Sequence, residues 1–390
     1  MIVFFTHDLL PNRERLMPWR TIIEVCKVFQ NTNNCKVAIY SLDATPKNNV
    51  RTFQGINIYS VSKDCYQFKG FFERNNFSAI YFPITWRTSY KSIKPFCLFT
   101  GNKIAYFPGG VYNKSQTISA LNYLSFKIAM PYLAEAFIPK KRVIKFLNKA
   151  DFNSVISLTE LTRDKIIEAG FANKDVIFIP PGKDILPNFK ETLLIPIEGK
   201  VFEKGKYFLF MGGPAKIRGL ELLLKSFDKA CKSNKDLELL CFLRTDPGSN
   251  NSYIIEVLEK STYRTNITIV WHEVTKELLF NFVSNAKAVI LPFLLVPSEI
   301  PLTYLEVLCL GTTIISTRNG GTTDYLSDSI FISENNEKSM EEKIRTVWVD
   351  DTSVNRKKEN AKLKMSKHPN WTKVGERWFN LIINSNRIEE

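Results

Sequence analysis

Histidine is scarce in this chain of 390 residues: His7, His272 and His368 are the only three, and no two lie at metal-ligand spacing. The seven cysteines, Cys26, Cys35, Cys65, Cys97, Cys231, Cys241 and Cys309, are odd in number, widely spaced and free of any Cys-x-x-Cys pair. These absences argue against a zinc enzyme and for a reducing compartment. No Asp-x-Asp sequence occurs, so no metal cofactor is expected. Long apolar runs are missing too. The most apolar stretch, 118–138, is broken by Lys127, Pro131 and Glu135, and reads as a helix packed in protein. No charged-then-apolar leader is read before the strand-like Ile2-Val3-Phe4-Phe5, and a cytoplasmic location is expected.

Acidic residues are missing from one half only. Residues 1–150 hold 21 Lys and Arg against 7 Asp and Glu, whereas the remainder holds 32 of each. The whole net charge of +14 therefore sits in the first 150 residues. A basic half joined to a neutral half points to an anionic partner: lipid headgroups, an acidic glycan or nucleic acid. No nucleic-acid motif with interleaved aromatics is present, so nucleic acid is not expected. Lys140, Lys141, Arg142, Lys145 and Lys149 surround Val143, Ile144, Phe146 and Leu147. Residues 140–149 thus read as a basic amphipathic helix of the kind that lies on anionic membrane, at the inner face of a cell membrane.

Strand-like runs alternate with helical ones along the chain, the pattern of parallel sheets covered by helices. Strands are predicted at 2–5, 36–41, 56–60, 79–82, 103–107 and 155–157, then at 207–211, 238–242, 267–271, 288–292, 313–316 and 330–332. Helices are predicted at 19–30, 68–76, 118–137 and 142–148, then at 219–231, 252–260, 275–285, 301–310 and 337–349. A Pro-Pro-Gly run, residues 180–182, followed by an aperiodic stretch to 206, marks a linker. The expected organisation is an N-terminal domain at 1–183, a C-terminal domain at 184–366 and a last helix within 367–390. Two such sheets in sequence place a ligand in the cleft between them, beyond the carboxyl ends of their strands.

Two segments at those strand ends carry chemistry. In the first, residues 297–311, Pro301 suits the first position of a helix and Gly311 its C-terminal cap. The amides at such a helix start form an anion site for a diphosphate, and Glu306 behind them is an acceptor-only group suited to paired ribose hydroxyls. The plainer reading is a carboxylate complementing the helix dipole. The second segment runs from the strand at 208–211 through Gly212-Gly213-Pro214-Ala215-Lys216-Ile217-Arg218-Gly219 into a helix. Its glycines let backbone approach a ligand, and its two cations stand where a departing nucleoside diphosphate develops charge. The plainer reading is an ordinary turn with two solvated bases.

These segments, with Leu147–Asp151, Val155–Ser157 and Ile179–Asp184 before them and Thr313–Gly321 after them, resemble glycosyltransferase family 4. The resemblance spans about 147–324; residues 1–140 show only the general α/β pattern. It implies an α/β fold of GT-B type, two Rossmann-like domains with a cleft between them. It also implies a retaining, metal-independent transfer of a sugar from a nucleotide-sugar donor to a glycan or lipid-linked glycan. Lys216, Arg218 and Glu299 would be catalytic. Gly212, Gly213, Ser298, Leu302, Thr303 and Glu306 would hold the donor, with Arg244 facing the nucleotide. His7, Gly109 and Gly110 would lie on the acceptor side. Departures are visible. Six residues separate Glu299 from Glu306 where the family has seven, so Ser298 occupies the register of the family's first glutamate. The family's Glu-Gly-Phe-Gly is here Glu299-Ile300-Pro301-Leu302, and the N-terminal strand end at Gly109-Gly110 lacks the family's histidine. A degenerate GT-B protein that only binds a glycan or a partner remains an alternative. A nucleotide-sugar epimerase fits less well for want of acid–base groups. A dinucleotide oxidoreductase fits worse still, because no Gly-x-Gly-x-x-Gly follows either first strand.

Overall fold

The computed structural model describes residues 1–386 except 33, 48, 68, 69, 173, 174, 187–195 and 245–250. Its first half contributes β1 (Ile2–His7), β2 (Val37–Asp43), β3 (Val50–Phe53), β4 (Ile56–Ser62), β5 (Ala79–Pro83), β6 (Asn102–Phe107), β7 (Ser154–Ser157) and β8 (Val176–Phe178). They form one sheet in the order β3-β4-β2-β1-β5-β6-β7-β8, parallel except for β3 at the edge. The second half contributes β9 (Phe208–Gly212), β10 (Leu239–Leu243), β11 (Ile267–Val270), β12 (Ala288–Leu291), β13 (Ile314–Thr317) and β14 (Ile330–Ser333). These pair in parallel in the order β11-β10-β9-β12-β13-β14, the Rossmann order, whose direction reverses between β9 and β12.

The helices of the first half are α1 (Trp19–Asn31), α2 (Phe71–Asn75), α3 (Tyr90–Ile93), α4 (Lys114–Ser119), α5 (Phe126–Phe137), α6 (Lys140–Lys149) and α7 (Glu160–Glu168). Those of the second are α8 (Leu220–Ser233), α9 (Ser252–Glu259), α10 (Lys276–Asn285), α11 (Leu302–Cys309), α12 (Gly320–Leu326), α13 (Glu337–Val349), α14 (Asp351–Lys367) and α15 (Trp371–Asn386). The single helix expected at 118–137 is two. Asn113 caps α4 through the Ser115 amide, a short turn at Ala120–Asn122 intervenes, and Ser125 in extended conformation restarts the chain as α5. Of the helix expected at 68–76, residues 68 and 69 lie outside the described residues, 71–75 form α2, and Gly70 and Asn76 flank it in left-handed conformation.

Strands buried on both faces explain the continuous apolar runs: every residue of β2, β5, β10 and β12 is buried. The N-terminal core is aromatic, with Phe4 stacked on Tyr81 at 4.4 Å and Tyr81 on Trp378 at 5.4 Å. Trp378 belongs to α15, which crosses back from the C-terminal half and packs along α1. The two crossings run side by side. The Lys183 amide donates to the Pro369 carbonyl at 3.0 Å, and His368 Nε2 donates to the Pro181 carbonyl at 2.8 Å. Tyr325 donates to His368 Nδ1 at 2.8 Å, and burial pushes this imidazole down to about 4, so it stays neutral as a staple of the hinge. Among the described residues no helix is long and apolar enough to cross a membrane.

Candidate active site

The turn after β9 and the loop after β12 meet at the point where strand order reverses. Gly219 has φ +74°, and a β-carbon there would stand 1.8 Å from the Pro292 carbonyl oxygen, so only glycine lets the two loops close on each other. The Leu294 amide donates to the Ile217 carbonyl at 2.9 Å and locks them together. This packing aims Arg218 across the front of the sheet. Its guanidinium lies 5.3 Å over the Phe293 ring, and Nη1 passes 2.6 Å from where a Gly212 β-carbon would be. Lys216 lies 5.0 Å over the Tyr253 ring at the rim.

From the β12 side, α11 starts after Pro301, and Leu302 and Thr303, whose amides are the first of the helix, line the same space. Glu306 follows on the same helix, half-buried. Burial raises its pKa, the neighbouring Asp184 adds to the rise, and Arg20 and Lys276 oppose it.

A cleft of about 1060 Å³ opens between these elements and the N-terminal domain. Gly212, Gly213, Lys216, Arg218 and Arg244 line it from the β9 and β10 side, and Ser298, Leu302, Thr303 and Glu306 from α11 and the loop before it. The Arg244 amide donates to the Gly212 carbonyl at 3.0 Å. Arg15 and Arg20 line the cleft from the N-terminal domain, and sequence reading missed both. Arg20 Nη2 binds Asp184 Oδ1 at 2.6 Å, and Trp371 Nε1 donates to the same oxygen at 2.9 Å, so α1, the linker and α15 meet beside Glu306.

Four expected site residues stand elsewhere. His7 is exposed at the end of β1, outside the cleft lining. Glu299 turns away from the cleft into the contact between the domains, where it is 4% exposed. Thr159 and Thr162, at the start of α7, donate to Glu299 Oε1 at 2.8 and 3.0 Å. Gly110 packs so closely that a β-carbon there would lie 2.4 Å from the same oxygen, while Gly109 rests on the Pro297 carbonyl. Gly109 and Gly110 therefore seat Glu299 and the loop before it rather than line the cleft. The turn away has a backbone cause: Ile300 adopts φ +51°, rare for a β-branched residue, and its amide donates to Thr322 Oγ1 at 3.1 Å. Burial pushes the Glu299 carboxyl up to about 7, against the pull of the two hydroxyls. Ser298 also reaches across, donating to the Pro108 carbonyl at 2.9 Å, while still lining the cleft.

Residues 195–364 match the family model for glycosyl transferases group 1. The turn after β9, α11 and Glu306 all fall inside the matched stretch. No curated protein matches the chain. Solved structures match it end to end. Sucrose-phosphate synthase from Thermosynechococcus elongatus superposes with a TM-score of 0.66 at 12% identity, covering 99% of each chain. A glycosyltransferase from Rickettsia africae gives 0.62 at 12%, covering 98% of this chain and 97% of its own. Anabaena HepE in complex with UDP and glucose gives 0.62 at 10%, covering 98% and 99%. At these identities the likeness is one of fold, and the fold is GT-B: two Rossmann-like domains with a cleft between them.

Proposed function

We propose that the chain is a retaining glycosyltransferase of the family 4 kind, moving a sugar from a nucleotide-sugar donor to a glycan or lipid-linked glycan in cell-surface polysaccharide synthesis. One observation carries the reading: a cleft at the reversal point of a Rossmann sheet, in which the α11 amides, Arg218 and Glu306 converge. The amides and Arg218 suit a diphosphate, and Glu306 suits ribose hydroxyls. Transfer breaks the bond between the anomeric carbon and the diphosphate and forms one to an acceptor hydroxyl, whose proton passes to the departing diphosphate. The protein's part is to stabilise the departing diphosphate. HepE, whose structure holds UDP and glucose, supports the donor class by likeness of fold alone.

Calorimetry against UDP-, GDP-, ADP- and TDP-sugars tests this reading, with saturable binding of one of them expected. Glu306→Gln should weaken that binding about ten- to hundredfold, the equivalent of the roughly 1.5–3 kcal/mol held by charge-assisted hydrogen bonds. Unchanged affinity in a folded variant would remove Glu306 from the site. Transfer is expected to proceed without a divalent metal, since Arg218, Lys216 and the helix amides can neutralise the leaving group. Activity should survive a chelator; loss restored by Mg²⁺ or Mn²⁺ would refute the expectation.

A second reading, a GT-B protein that binds a nucleotide sugar without transferring it, is favoured by the retreat of Glu299 from the cleft. Donor hydrolysis separates the two: slow release of nucleotide from the bound donor supports the enzyme, and binding with no turnover supports the binder.

A further inference from the structure

Residues 84–150 contain 11 Lys and Arg but a single acid, Glu135. That acid is 7% exposed and bonded to Arg87 at 3.0 Å, so it offers solvent almost no negative charge. The same stretch carries an exposed apolar stripe. On α5, Phe126 is 68% exposed, Met130 48% and Phe137 54%. Spaced four and eleven residues apart, they fall on one helical face. Ala129 and Ala136, on the inward flank of α5, are buried. Ile118, on the neighbouring α4, is exposed as well. Lys114, whose ammonium lies 4.8 Å over the Phe137 ring, Lys127, Lys141 and Lys145 are exposed around the stripe or on the helix that follows it.

The helix expected from sequence to lie on a membrane, α6, cannot insert. Val143, Ile144 and Leu147 are buried in the N-terminal core. Lys140 is drawn in over Trp86 at 5.0 Å and bonds the Glu135 carbonyl, and burial lowers its pKa to about 8. Residues 140–149 therefore supply charge beside an apolar face that belongs to α5.

We propose that the outer face of α5 inserts into the surface of an anionic lipid bilayer, with Phe126, Met130 and Phe137 entering the boundary between headgroups and acyl chains and Lys114, Lys127, Lys141 and Lys145 resting on lipid phosphates. Apolar insertion and electrostatic attraction then act together, as in interfacial helices. A second copy of the chain is a poorer occupant, because a two-fold contact through this face would set its cations against their own copies. Ile128, two residues from Phe126 and so on the far side of α5 from the stripe, is 40% exposed and lines the large cleft. Insertion would then hold the cleft about one helix diameter, roughly 10 Å, from the headgroups, within reach of the glycan of a lipid-linked acceptor. This deepens, and rests on, the lipid-linked branch of the proposed function.

The test is co-sedimentation with phosphatidylcholine vesicles, with and without phosphatidylglycerol, over a salt series. The wild type should bind the anionic vesicles at low salt, and salt should release part of that binding as charge is screened. Phe126→Glu/Met130→Glu/Phe137→Glu should lose vesicle binding at every salt concentration. Lys127→Gln/Lys141→Gln/Lys145→Gln should lose the preference for phosphatidylglycerol, at about fivefold in partitioning per cation. Nucleotide-sugar affinity should be unchanged in both variants, which also shows that they fold. The proposal fails if the wild type ignores phosphatidylglycerol or if the glutamate variant binds vesicles like the wild type. It fails equally if sedimentation velocity shows a dimer that this variant splits. Vesicle binding without donor binding would instead sink the proposed function and leave the insertion standing.

Discussion

Arg218→Ala should lower the rate of donor turnover about a hundred- to a thousandfold, the loss measured when one preorganised group facing developing charge is removed from an enzyme. The surroundings of the guanidinium suit that duty. The group is half-buried at the end of the turn after β9, backed by the Phe293 ring at 5.3 Å and routed past Gly212. Its placement depends on Gly219, whose missing β-carbon lets the turn close on Pro292. A charge fixed before the reaction needs no reorganisation as the diphosphate departs, so the loss should fall mainly on turnover. Arg218→Lys should recover part of the rate, since it restores the charge without the planar fork that meets two phosphate oxygens. The readout is steady-state nucleotide release from the donor found by calorimetry, with melting curves to show that both variants fold. A loss below tenfold for the alanine variant would move the leaving-group charge elsewhere, with Lys216 and Arg15, which also line the cleft, as the next residues to test.

Much of this arrangement was legible in the sequence because periodicity and punctuation are local. The expected strand at 2–5 is β1, Ile2–His7, and that at 207–211 is β9, Phe208–Gly212. The elements that sequence reading missed send weak local signals. In α14 only Val354, Ala361 and Met365 are buried among 17 mostly polar residues, so no apolar stripe announces it. In α7 one of the two buried residues is Thr162. The strand β3 is a short edge strand with no buried residue. Sites assembled from distant segments were harder still. Nothing in the sequence around Arg20 says that α1 reaches Glu306 on α11. The basic excess of the first 150 residues is plain in the sequence, but charge alone does not say which cations face the cleft and which face outward. The near-miss in glutamate spacing flagged Glu299 as unusual. Its retreat into the domain contact depends on the left-handed backbone of Ile300 and on the room left by Gly110, and neither is visible without coordinates.

Glu299→Gln should stabilise the protein at alkaline pH and leave its stability nearly unchanged at acid pH. The wild-type carboxyl is buried between the domains, and among the described residues Oε1 accepts from the Thr159 and Thr162 hydroxyls alone while Oε2 has no hydrogen-bond partner. The groups facing it are the Thr159 and Thr162 hydroxyls, Gly110, Gly321 and the Tyr112 phenol, whose own pKa is raised in part by Glu299. Burial lifts the carboxyl from its ordinary 4.5 to about 7. The folded state therefore binds this proton more tightly than the unfolded state. Below about 4.5 both states are protonated and the carboxyl carries no penalty. Between 4.5 and about 7 the unfolded state has lost the proton while the folded state keeps it, so stability falls as pH rises. Above 7 the loss is complete, at about 3 kcal/mol for a difference of this size. Glutamine keeps the shape and an accepting oxygen for the two threonines, and has no proton to lose. The difference in melting temperature between variant and wild type should be close to zero at pH 4.5, widen across the window and level off above pH 7.5, reaching several degrees. Since the carboxyl joins α7 to the loop before α11, its ionisation should also loosen the contact between the domains. Limited proteolysis of the wild type should then quicken over the same pH range while the variant stays protected. Parallel melting curves for the two proteins from acid to alkaline pH would mean that Glu299 ionises without cost, and that water reaches the contact between the domains.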